Sequence, residues 1–141
     1  MVAVGVDACK RGWIAVALRR GTNAQVHFLE SIEELGEVIP DAEAVAIDIP
    51  IGLPTEGRRA ADIEAKKVLG PRSNSVFFTP VRAALEARDH LTATRLSSEL
   101  TGYGISQQSF ALRSKIFEVE RWLSKAPCSV WEVHPEVSFR F

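Results

Sequence analysis

The chain has 141 residues, of which 46% are apolar and 25% charged, which suits one globular domain with a real core and excludes a fibrous or disordered chain. Its net charge of −1 supplies no general positive field for nucleic acid or an anionic membrane, so any nucleic-acid contact has to come from a local patch. No apolar run approaches the ~20 residues that span a bilayer, and two cysteines, Cys9 and Cys128, are too few for a disulfide framework or a zinc site of their own.

The first element, roughly Val2 to Asp7, is a β-branched run that reads as a strand buried on both faces, yet it ends in a carboxylate. Gly12 opens a second strand, Trp13 to Leu18. A polar turn at Arg19 to Asn23 leads to a third, Gln25 to Leu29, so the three should form an antiparallel meander. Ser31 and Glu34 have the spacing of a capping box, and the short helix they start should stop before Pro40. Ala44 to Asp48 is a fourth strand, again apolar and again ending in aspartate. The intervening helix implies a right-handed crossover, with this strand parallel to the first.

The second half reads as mostly helical. Arg58 to Leu69 should be a helix closed by Gly70, with Pro71 preventing continuation. Pro80 to Leu100 reads as another. Ser106 can cap a third, with Leu112, Ile116, Val119 and Leu123 along one face. Ser129 to Val133 is the fifth strand. Nothing in composition divides the chain, so a single domain over 1–141 is expected.

The two aspartates frame the functional question. A carboxylate at the end of an interior strand is costly unless it is paired, hydrogen-bonded or bound to metal. Neighbouring strands lie ~4.8 Å apart, so Asp7 and Asp48 should project near each other at one end of the sheet. Two such carboxylates repel unless a proton or cation lies between them. Oxygen ligands of this kind suit Mg²⁺ or Mn²⁺ and metal-assisted phosphoryl transfer. The plainer alternative is that each merely caps a turn.

At these residues a resemblance enters. Val4-Gly5-Val6-Asp7 with Gly12-Trp13, Ala46 to Pro54, Leu69 to Phe77, Lys115 to Val119 and Glu132 to Phe139 together resemble, in order and spacing, the predicted ribonuclease H-like nucleases catalogued as domain of unknown function family 429. The resemblance implies an α/β ribonuclease H-like fold: a mixed five-stranded sheet, with a three-strand meander and then parallel strands, flanked by helices. It also implies a divalent-metal nuclease acting on nucleic acid. Members of the family usually continue past the His-Pro-Glu motif into a helical segment with further acidic residues. Here Phe141 follows Glu136 by five positions, so a C-terminally short form is expected.

The remaining candidates carry two readings each. Glu132 or Glu136 could complete the metal ligands and His134 could transfer protons, or all three could be ordinary strand-end residues. Arg72 could hold a substrate phosphate or pair with a surface acid, and Lys115 could reach the carboxylates or extend to water. Asp62 reads as part of a solvated helix face, and Trp13 as core packing. The apolar alternation Val137, Phe139, Phe141 leaves a surface that a second copy could cover, giving a homo-oligomer. Two alternatives to the nuclease stand beside it: a non-catalytic remnant serving as a binding or assembly module, and an actin-like ATPase. Ile49 to Pro54 is too stiff and apolar for the ATPase's second phosphate loop. The expected location is the cytoplasm, since no basic-then-apolar leader opens the chain.

Overall fold

The computed structural model describes residues 1–140, so Phe141 and its part in the terminal apolar alternation lie outside the described residues. Strands β1 (Val2–Cys9), β2 (Gly12–Arg19) and β3 (Gln25–Leu29) come first, followed by a 3₁₀ turn (Ile32–Glu34), helix α1 (Leu35–Val38) and strand β4 (Ala44–Ile47). Helices α2 (Ala60–Leu69), α3 (Arg82–Glu86), α4 (His90–Thr101), α5 (Gln107–Ala111) and α6 (Arg113–Leu123) follow. Strand β5 (Ser129–Glu132) and the one-turn helix α7 (Pro135–Ser138) complete the chain. It packs as two compact units, one of residues 1–51 with 115–133, the other of 52–114 with the residues from His134 onward.

The first unit is an α/β layer on a five-stranded mixed sheet with strand order β3-β2-β1-β4-β5. The meander β1-β2-β3 is antiparallel, and β1, β4 and β5 run parallel. Val2, Val4 and Val6 alternate onto the buried face, in register with Ala17 and Ala15 on one side and Val45 and Ile47 on the other. Trp13 is fully buried on that same face, with Ile116, Val119 and Trp122 of α6 among the other buried residues of the unit. The expectation that β1 is buried on both faces fails: Gly5 and Asp7 are exposed. Besides Asp7 and Cys9, β1 and β4 place on that second face Ala3, Gly5, Ala44 and Ala46, which offer little apolar area to bury. The capping box forms as expected, with Glu34 accepting from the Ser31 N–H at 3.2 Å. Gly12 is required sterically, because a Cβ there would lie 2.0 Å from the Leu29 carbonyl oxygen.

The second unit is helical, and it corrects two expectations. The single helix from Pro80 to Leu100 is two helices, because Ala87 turns extended and the Asp89 carboxylate caps a new start by accepting the Thr92 N–H at 2.8 Å. Val137 lies in α7, with Pro135 at its first turn. Asp62 is buried rather than solvated, 4% exposed. It accepts from Arg59 Nη2 at 2.5 Å, the Thr79 N–H at 2.8 Å and the Thr79 hydroxyl at 3.3 Å. The spacing of α2 could not reveal this, since the Thr79 loop that closes over Asp62 lies 17 residues away.

Replacing Asp62 by Ala leaves the buried Thr79 amide without its acceptor and removes the carboxylate that pairs with Arg59. The expected cost is about 3 kcal/mol in urea unfolding, and a loss below about 1 kcal/mol would contradict the burial of a fully engaged carboxylate.

Candidate functional site

The two aspartates sit where the sheet turns from antiparallel to parallel. The pairing of Val6 with Ile47 and the bond from the Asp48 N–H to the Val6 carbonyl at 3.1 Å continue the parallel register by one step, so Asp7 stands opposite Asp48. In-register residues of neighbouring strands project from the same face, ~4.8 Å apart along the sheet. Asp7 is exposed and Asp48 half-buried. Exposure lowers the cost of holding two charges side by side and leaves the pair accessible to an ion.

The same face carries exposed aromatic residues. Asp7 pairs with Ile14, and Ile14 with Phe28, which is 48% exposed. Trp131, 64% exposed, pairs with Ala46, two positions before Asp48 on that face. The carboxylates are thus flanked along the sheet by open ring surfaces.

The other expected ligands behave differently. Glu132 stands at the same strand end but pairs with Ile47, so it starts from the opposite face to Asp48. Its Oε2 accepts the Ile51 N–H at 2.7 Å, which ties the segment after β4 to the end of β5. Lys115 does not extend to water: its Nζ lies 3.6 Å from Glu118 Oε2 and 4.5 Å from the centre of the Trp13 ring. Trp13 pairs with Ala8, so this contact is on the face away from Asp7.

Arg72, His134 and Glu136 belong to the second unit. Arg72 and Glu136 line one shallow concavity together with Leu69, Phe139 and Arg140. His134 Nδ1 lies 2.9 Å from Glu136 Oε2, without the alignment of a hydrogen bond. Among the described residues, no group of three or more His, Cys, Asp or Glu side chains is placed to hold one metal ion. An ion held at Asp7 and Asp48 would have two carboxylates, with water or substrate oxygens left to fill the shell.

Glu118 is a residue to which no role falls from the sequence alone. Its carboxylate accepts the Trp13 indole N–H at 2.9 Å and the Ile32 N–H at 2.8 Å, with Lys115 beside it. Burial works against its charged form. The Ile32 amide, the indole, the Lys115 charge and Ser31 together outweigh that and hold its carboxyl below the ordinary 4.5. The only sequence signal was its place in the Lys115 to Val119 motif; the partners lie more than 80 residues away.

The chain is thus an α/β protein built on a mixed sheet, and none of its helices among the described residues is long and apolar enough to cross a membrane. It belongs to the family described as "Protein of unknown function (DUF429)", whose family model matches residues 5–141. No curated protein and no solved structure matches it.

The lowered pKa of Glu118 makes stability pH-dependent. Folding favours the deprotonated form, so this contribution is complete above pH 4.5 and is lost as pH falls through the lower folded value. Glu118→Gln should cost about 1–3 kcal/mol at neutral pH and should flatten the stability profile below pH 4.5 relative to wild type. Parallel acid profiles for the two proteins would exclude a stabilising role for the charge.

Proposed function

We propose that this chain is a ribonuclease H-like protein that hydrolyses phosphodiester bonds of nucleic acid with a divalent ion, Mg²⁺ or Mn²⁺, held by Asp7 and Asp48. The observation that carries this reading is the register that sets the two aspartates opposite each other on adjacent parallel strands. The strand order, with a meander leading into parallel strands, supports the ribonuclease H-like assignment. Two hard carboxylate oxygens fit either ion, which when bound supplies a more acidic water and polarises a phosphoryl oxygen. The protein's own contribution is to fix the spacing of the two carboxylates through the sheet. Exposed Phe28 and Trp131 on the same face offer stacking surfaces for unpaired bases, so single-stranded regions are the favoured substrate class. Such stacking would let a chain of net charge −1 bind a polyanion without a general positive field.

A second reading, a non-catalytic remnant that binds partners, is favoured by one observation. Glu132, the nearest candidate for a third carboxylate, accepts the Ile51 amide instead.

Two measurements separate these readings. Mg²⁺ or Mn²⁺ should raise the melting temperature of the wild type, and Asp7→Asn should lose that increment while melting normally without metal. Wild type with metal should nick single-stranded nucleic acid slowly, and Asp48→Asn should not. Equal cleavage by both proteins indicates a contaminating nuclease, and that result, or cleavage by neither, would leave the remnant reading in place.

A further inference from the structure

The second unit contains a cavity of about 180 Å³ that the aspartate pair does not involve. Its lining combines Arg58, Phe78 and Tyr103 with the hydroxyl residues Ser97, Thr101 and Ser106. The Arg58 guanidinium carbon lies 3.6 Å from the centre of the Phe78 ring and 4.0 Å from that of Tyr103. Contact with both rings fixes the plane of the guanidinium and leaves its N–H edge as the part able to meet a ligand. Among the described residues Arg58 has no hydrogen-bond acceptor and no carboxylate partner, whereas neighbouring Arg59 is neutralised by Asp62. Lys66 lies 4.9 Å from the centre of the same Phe78 ring; it bonds the Ser73 carbonyl and likewise has no carboxylate partner among the described residues.

The rest of the lining is tied together by hydrogen bonds. The Ser97 hydroxyl donates to the Tyr103 carbonyl at 2.8 Å, and Thr101 Oγ1 accepts the Tyr103 N–H at 3.1 Å while donating to the Ser97 carbonyl. Ser106 donates to the hydroxyl of Ser109, which keeps its own proton to give. These bonds join α4, the following turn and the start of α5 around the concavity.

We propose that this cavity is a binding site for a phosphomonoester, gripped by Arg58. A planar guanidinium edge fits an oxyanion bidentately. With the Arg58 edge and the Ser109 hydroxyl as donors of the lining, the three acceptor oxygens of a phosphate are served better than the two of a carboxylate. The volume lies below the roughly 300–1,000 Å³ of sites for drug-sized ligands, so the fit is a phosphate with at most a sugar attached. Tyr103 both lines the cavity and is exposed to solvent. This goes beyond the nuclease reading, because no metal and neither aspartate takes part.

The test is an amide-resolved NMR titration of the whole chain, without metal, with ribose 5-phosphate, a 5′-phosphorylated oligonucleotide and acetate. Saturable shifts at the Tyr103, Gly104 and Ser106 amides with either phosphate, and none with acetate, are expected. The tighter phosphate ligand tells a free sugar phosphate from a strand end. Arg58→Gln should weaken binding by roughly tenfold or more. Arg58→Lys, which keeps the charge but not the flat edge, should also weaken it. The wild-type shifts and Arg58→Lys decide the matter even where Arg58→Gln does not fold. Absence of saturable shifts at those amides, equal binding of acetate, or unchanged affinity in both variants would overturn the proposal.

Discussion

One carboxylate, that of Glu118, joins three separate pieces of the first unit. Helix α6 carries it, strand β2 donates the Trp13 indole to it, and the 3₁₀ turn after β3 donates the Ile32 amide. Both donors would otherwise be polar groups carried by side chains or turns that are fully buried, since Trp13 and Ile32 have no exposure. A charged acceptor satisfies them more strongly than a neutral one. It also fixes where α6 lies along the sheet, and therefore which residues of α6 meet the buried face. Lys115 offsets part of the cost of the charge and packs its ammonium over the Trp13 ring.

The second unit uses the same device with Asp62. That carboxylate joins α2 to the Thr79 loop and holds the Arg59 guanidinium. With Arg59 neutralised, Arg58 next to it stays uncommitted and lies over Phe78 and Tyr103 instead. Two adjacent arginines thus have opposite fates, decided by which one reaches the buried acid. Neither Glu118 nor Asp62 is marked by its local pattern, because each would look the same on a solvated helix face.

The covered face of the sheet sets up the open one. Alternation along β1 commits Val2, Val4 and Val6 to the core, which forces Asp7 onto the opposite side. Alternation along β4 does the same for Asp48 after Val45 and Ile47. The parallel register then decides that the two aspartates stand opposite each other and not one step apart. One step is the difference between Asp48 and Glu132: Val133 falls opposite Asp48, and Glu132 points from the other face toward the Ile51 amide.

Much of the first unit was legible in the chain. The meander, the capping box, the parallel fourth strand and the aspartate at each strand end all follow from alternation, turn residues and spacing, which act over a few residues. The requirement for Gly12 was hinted at by its place before Trp13, but its cause is the Leu29 backbone 17 positions on. What the sequence by itself determined was the identity and order of the strands and which residues share a face, because strand periodicity is local. Tertiary structure alone decided that Asp62 is buried, that Lys115 serves Glu118 and not the aspartates, that Glu132 holds Ile51, and that Arg58 lies over two rings beside a cavity. The physical reason is common to all four: a charged side chain takes whichever partner or ring the fold brings within reach, and that partner is set by packing between segments far apart in the chain.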